Sequence, residues 1–171
     1  EGNPRSPQTT VYDGSPKELG SELWDDNYSS GTGNWNANGS NTLSYPDGEL
    51  NITYVDQADG ANIKFQDNDD LNANLVVGKY YKLSLQARYS GGSSGSRIRI
   101  WNAADSNLGN TPALTTSNVT YSLYFTATNT TDDYLTLGSM ASGNVVILDN
   151  ISLKEVQMGN HGTTTFLGDE E

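Results

Sequence analysis

Between residues 78 and 156, apolar and polar side chains alternate in one segment after another, and no stretch carries a helical period. A period of two gives a strand one buried face and one exposed face. The longest such segment, residues 79–89, puts Tyr81, Leu83, Leu85, Ala87 and Tyr89 on one face, and Tyr80, Lys82, Ser84, Gln86 and Arg88 on the other. In residues 97–101, Ile98 and Ile100 alternate with Arg97, Arg99 and Trp101. Tyr121, Leu123 and Phe125 then face inward, with Ser122, Tyr124 and Thr126 outward, before Leu135, Leu137 and a closing strand over residues 145–156. Upstream, residues 43–45 and 49–55 flank Pro46-Asp47-Gly48 and read as a hairpin, and residues 62–66 turn Ile63 and Phe65 inward. Short strands separated by Gly, Ser, Asn and Thr predict an all-β chain, folded as a two-sheet antiparallel β-sandwich of the jelly-roll kind. Its expected core is Ile63, Phe65, Leu83, Leu85, Ile98, Ile100, Leu123, Phe125, Leu135 and Leu148. A sandwich offers a rigid platform with side chains on an open face, which points to binding before chemistry.

With 171 residues the chain is long enough for one domain with a substantial core. Residues 1–20 carry Pro4, Pro7 and Pro16 and read as an N-terminal arm or linker, in which Val11 and Tyr12 suit a short docking strand. Residues 21–156 are the expected sandwich, and residues 157–171 a C-terminal tail or linker. The opening Glu-Gly-Asn-Pro, without an initiator Met, reads as a piece cut from a longer chain. A net charge of −12 argues against nucleic acid as a partner, because such surfaces are basic. No apolar run approaches the ~20 residues of a membrane helix, so no membrane insertion is expected. Asn, Ser, Thr, Gly and Tyr supply the polarity in place of charge, a composition that suits an extracellular or virion-surface protein.

Enzyme chemistry finds little footing. There is no Cys, and the one His, His161, lies in the tail, so Cys–His and Ser–His–Asp nucleophile systems and Cys/His zinc sites are excluded. Glycoside hydrolysis needs two carboxylates across a cleft, but 21 acidic residues will always supply some pair, so no signal arises. No Gly-rich phosphate motif follows a strand and opens a helix. The chain is not expected to be an enzyme.

Four segments resemble one family. Gly78-Lys79-Tyr80-Tyr81-Lys82-Leu83-Ser84, Val119-Thr120-Tyr121-Ser122-Leu123-Tyr124-Phe125-Thr126-Ala127 and Val146-Ile147-Leu148-Asp149-Asn150-Ile151-Ser152-Leu153 are similar to successive strands of carbohydrate-binding modules of the 4/9/22 type. Residues 23–35, with Tyr28, Gly31 and Trp35, resemble that family's opening segment. The resemblance spans residues 21–156 and rests on the order of the four motifs. It implies a jelly roll that binds polysaccharide or cell-surface glycan without cleaving it and targets its parent protein there. It also implies a structural calcium ion held by the opening segment and the Asp of the closing strand. Asp149 matches that Asp, while Ser29 stands where an acidic ligand is expected, so Asp25 or Asp26 would have to substitute. Similar modules occur in phage virions. The competing reading is therefore a structural virion or cell-surface subunit (decoration, fibre or adhesin) whose tails contact other subunits.

Candidate ligand-binding residues follow from the outward faces. Ser90-Gly-Gly-Ser-Ser-Gly-Ser96 reads as a connector between two strands of a hairpin, which would place Gln86, Arg88, Arg97, Arg99 and Trp101 on one face. An aromatic plane stacks on sugar C–H faces, and a guanidinium grips hydroxyls or a carboxylate with paired hydrogen bonds. Three of the nine basic residues gather there in a very acidic chain, which suits a uronate or sulfated glycan. Among the remaining outward aromatics, which include Tyr45, Tyr80 and Tyr134, Tyr124 is the leading candidate; Trp24 and Trp35 are expected in or near the core.

Overall fold

The computed structural model describes residues 9–12, 17–102, 104, 106–157 and 162–165. Most of the expected arm and tail, His161 among them, lies outside the described residues. The strands are β1 (Thr9–Tyr12), β2 (Lys17–Asp26), β3 (Asn36–Ala37), β4 (Thr42–Ser44), β5 (Leu50–Thr53), β6 (Ala61–Lys64), β7 (Tyr80–Ser90), β8 (Arg97–Trp101), β9 (Asn107–Asn110), β10 (Val119–Thr126), β11 (Tyr134–Gly138), β12 (Val145–Gln157) and β13 (Gly162–Thr165). A single 3₁₀ turn, Pro46–Gly48, closes the β4–β5 hairpin expected around it.

Two antiparallel sheets make the sandwich. The first runs β10-β7-β12-β5-β4, with β2 also paired to β12, and the second runs β3-β6-β11-β8-β9. The thirteen-residue β12 organises the first sheet. One of its edges pairs with β7, while β5 and β2 share the other, β5 beside its first half and β2 beside its second. Its register shifts between Asp149 and Ser152, where Asn150 adopts φ 50°, a left-handed conformation that Asn tolerates better than most residues.

The core lies between the sheets, as the alternation predicts: every expected core residue is buried, none more than 8% exposed. A chain of rings runs through it. Trp35 and Trp24 are 6.3 Å apart, Phe65 packs edge-on to Trp24 at 6.3 Å, and Phe65 stacks on Phe125 at 5.5 Å, which in turn touches Tyr81 at 5.8 Å. Trp24 and Trp35 thus belong to the core, and the Trp35 indole donates to the buried Tyr28 hydroxyl at 3.0 Å.

Two expectations need correction. Residues 79–89 and 97–101 do not form a hairpin, because β7 lies in the first sheet and β8 in the second. The physical reason is that both edges of β7 are taken, by β10 and β12, so β8 finds no free backbone groups there and pairs with β9 and β11 instead. Strand structure paired to the sandwich also begins before residue 21. β2 starts at Lys17 and its first residues pair with Glu155, Val156 and Gln157. Val11 and Tyr12 do lie in a strand, β1, which pairs with β13 across the ends of the chain.

Phe65 links the Trp24 and Phe125 rings, so truncation leaves a cavity that neither sheet can close. Phe65→Ala is expected to cost about 3–5 kcal/mol, read as a lowered denaturation midpoint in urea with an unchanged slope.

Candidate functional site

The outer face of the second sheet carries the candidate site. Because Ile63, Ile100 and Leu135 point inward, their strand neighbours point out. Register then decides which of these meet. Tyr134 lies directly opposite Trp101 on one side and Lys64 on the other, while Thr136 lies opposite Arg99 and Asn62. Three adjoining depressions follow these rows. One, of about 610 Å³, is lined by Arg97, Arg99, Trp101, Asn107, Asn110 and Ser139. The next, of about 210 Å³, shares Arg99 and Trp101 and adds Asp59, Tyr134 and Thr136. The third, of about 220 Å³, shares Asp59 and Tyr134 and adds Asn38, Asn62 and Lys64. Shared walls make them one open groove across the sheet, whose widest part alone is within the size range of small-ligand sites.

Each side chain is held by a nameable cause. Arg99 lies over Gly138, where any β-carbon would collide with the guanidinium. Its Cζ sits 5.9 Å from the centre of the Trp101 ring, a cation–π contact, and its Nη2 donates to Ser139 Oγ at 3.3 Å. Trp101 is half-buried, and its indole N–H, covered by neighbouring atoms, has no acceptor. Among the described residues the Arg97 side chain has neither a hydrogen bond nor an ion pair. The amides of the groove pair with each other, Asn62 to Asn38 at 2.6 Å and Asn107 to Asn110 at 2.7 Å.

Buried polar groups fix the loops around this face. Asp133, fully buried just before Tyr134, accepts from Thr128 N and Oγ1, both at 2.7 Å, and from Asn129 N at 3.2 Å. Asn41 ties down the loop that carries Asp59: its Nδ2 donates to Gln57 O and Gly60 O, and its Oδ1 accepts from Val55 N and Asp56 N. Satisfied buried groups of this kind rigidify what they touch.

The structure separates the expected site residues. Arg97, Arg99 and Trp101 share the groove, whereas Gln86, Arg88 and Tyr124 lie on the outer face of the other sheet. Arg88 there is bound bidentately to Glu49, at 2.6 and 2.5 Å, and the hydrogen bond from Arg88 holds the Glu49 carboxyl below its usual range. Gln86 accepts from Asn118 at 2.9 Å, and Tyr124 pairs across from Lys82. Tyr134, Asn62, Lys64, Asn107, Asn110 and Asp59 join the groove in their place.

Asp149 and Asp26 lie close enough to repel. Burial, foremost, raises the Asp149 carboxyl above its usual range, with the charges of Glu49 and Asp26 adding to it against the Asn150 hydrogen bond and Arg88. Both acids are engaged locally, Asp149 by Asn150 and Asp26 by Tyr28 N, while Asp25 is exposed. Among the described residues no three Asp, Glu or His side chains gather to hold a metal ion. Calcium takes about six to eight oxygens, and the side-chain donors here do not by themselves fit it.

No family model and no curated protein sequence matches the chain. Solved structures do. The CBM22-1 xylan-binding domain of Paenibacillus barcinonensis Xyn10C superposes with a TM-score of 0.59 at 15% identity, over 83% of this chain and 99% of that one. The CBM22-1–GH10 modules of Clostridium thermocellum endo-1,4-β-D-xylanase 10B, complexed with xylohexaose, give 0.56 at 14% identity over 78% of this chain, which spans only 28% of that longer one. A family 29 carbohydrate-binding module gives 0.52 at 16% identity, over 86% of this chain and 92% of that one. The chain thus has the jelly-roll fold of the carbohydrate-binding modules, the 4/9/22 type that its strands resemble.

Proposed function

We propose that this chain is a non-catalytic glycan-binding module, which brings its parent protein to an extracellular polysaccharide through the groove on the second sheet. The observation that carries the reading is the pairing of Trp101 with Tyr134, two aromatic side chains held opposite each other on an open sheet face. Aromatic rings bind the apolar faces of sugars, and flanking amides and guanidiniums bind their hydroxyls. Strands hold these groups more firmly than loops, so little ordering is needed on binding. Among the described lining residues Asp59 is the one carboxylate. Glycoside hydrolysis needs two, which favours binding without cleavage. The fold similarity to xylan-binding modules supports the same class of ligand. No observation favours the structural-subunit alternative.

Affinity electrophoresis against a panel of soluble polysaccharides tests this. Trp101→Ala should weaken binding by about tenfold or more, since a lost stacking contact is worth on the order of 1 kcal/mol or above. Its melting temperature should fall little, because the ring lies outside the core. Loss of the fold instead, with no glycan bound by the wild type, would overturn the proposal.

Gly138→Ala adds only a methyl group, yet it must push the Arg99 guanidinium off the sheet. Binding should weaken several-fold in titration calorimetry. Arg88→Gln, on the far face, should leave binding unchanged while costing about 1 kcal/mol of stability through the lost Glu49 pair.

The carboxylates beside β12 make a metal test simple. Melting curves in chelator and in excess calcium should coincide; a rise with calcium that Asp149→Ala abolishes would establish the calcium site that the family resemblance implies.

A further inference from the structure

We infer that the groove selects glycans bearing negative charge, a uronate carboxylate or a sulfate ester, held by Arg97 and Arg99 beside the Trp101 ring. The inference rests on the reading of the groove as a glycan site and names the chemistry of its ligand.

The argument begins with charge. The chain has 21 carboxylate side chains and nine basic ones. Three other cations take carboxylate partners: Lys79 meets Glu155 at 2.6 Å, Arg88 meets Glu49 at 2.5 Å, and Lys64, at the groove's other end, meets Asp132 at 3.2 Å. Arg97 and Arg99 do not. Arg99 touches only a neutral hydroxyl and a ring, and Arg97 touches no polar partner among the described residues. Two guanidiniums two residues apart on one strand face repel each other, and an anion would relieve that repulsion.

Donor capacity points the same way. A guanidinium presents five N–H donors in a planar fork that matches a carboxylate or sulfate. Among the described residues, one of these ten donors makes a hydrogen bond, Arg99 Nη2 to Ser139. Neutral hydroxyls could be served by the amides already present, Asn62, Asn107 and Asn110. Those amides do not explain why two uncompensated cations stand next to the stacking ring.

The overall charge does not forbid an anionic polymer. At about 0.1 M salt the screening length is roughly 10 Å, so distant carboxylates are muted while a ligand in the groove meets the local field. Among the described residues three cations and one carboxylate line that groove, on a chain of net charge −12.

The test uses matched pairs of polymers. Polygalacturonate, alginate, glucuronoxylan and hyaluronan are each compared with their carboxyl-reduced forms, and chondroitin sulfate and dextran sulfate with their desulfated forms. In at least one pair the charged polymer should bind about tenfold tighter, the scale of one charge-assisted hydrogen bond. Which set shows the preference tells carboxylate from sulfate. The preference should fade at high salt and vanish in Arg97→Gln/Arg99→Gln. Lys79→Gln/Lys154→Gln, with the same change in net charge, should keep it. Equal binding across every pair, or a preference that survives the arginine substitutions, overturns this inference. Binding to neutral glycans alone overturns it too but leaves the proposed function standing, whereas a folded protein that binds no polymer at all sinks both.

Discussion

Asn144 holds the place where the chain leaves one sheet for the other. Its side chain is fully buried. Its Nδ2 donates to the carbonyls of Gly91 and Ser93, both at 2.9 Å, and its Oδ1 accepts from Ala141 N at 2.8 Å. One amide therefore ties the turn before β12 to the connector after β7. That turn and connector lie together because β7 and β12 are paired, and a β-carbon on Gly91 would collide with the Gly143 carbonyl oxygen. From this clamp the chain crosses to the second sheet and enters β8. Without the crossing, Arg97, Arg99 and Trp101 would stand beside Arg88 and Glu49, and their charge would already be answered.

The crossing gives the two outer faces different characters. On the first sheet the polar side chains answer one another: Arg88 with Glu49, Lys79 with Glu155, Gln86 with Asn118. A face of this kind is solvated and stable, and it has little left to offer a partner. On the second sheet, among the described residues, the amides are paired but the two arginines beside Trp101 have no carboxylate partner, and the surface dips instead of standing flat. An incomplete set of interactions in a shaped depression is what the proposed glycan site requires.

Much of this was legible in the chain itself. Alternation placed the core residues correctly, put Ile98 and Ile100 inward and Arg97, Arg99 and Trp101 outward, and the Pro46-Asp47-Gly48 turn announced its hairpin. What alternation cannot state is which strands share a sheet. The edges of β7 are claimed by β10 and β12, strands that begin at residues 119 and 145, so the apparent neighbour β8 was excluded by pairings remote in sequence. Gln86 and Arg88 were grouped with Arg97, Arg99 and Trp101 for that one reason. Lys17 to Gly20, beside Pro16, read as linker because nothing local favours a strand; pairing with the end of β12 overrode it. Tyr134, Asn62 and Lys64 carry the alternation signal, but their meeting with Trp101 belongs to tertiary structure. Asp59 sits in a loop and carries no periodic signal at all.

The same reasoning explains why the fold and the ligand have to be argued separately. The sandwich follows from buried apolar faces, and those faces tolerate many sequences, as identities near 15% with structures of the same fold illustrate. The groove depends instead on a few outward residues that contribute little to the core. Gly138 shows how the two are joined. It lies in a core strand, yet its missing side chain is what lets Arg99 lie flat against the sheet. A larger residue there would fit the strand equally well and would lift the guanidinium away from Trp101. The stability of the strand has no use for that gap, whereas the proposed glycan site does.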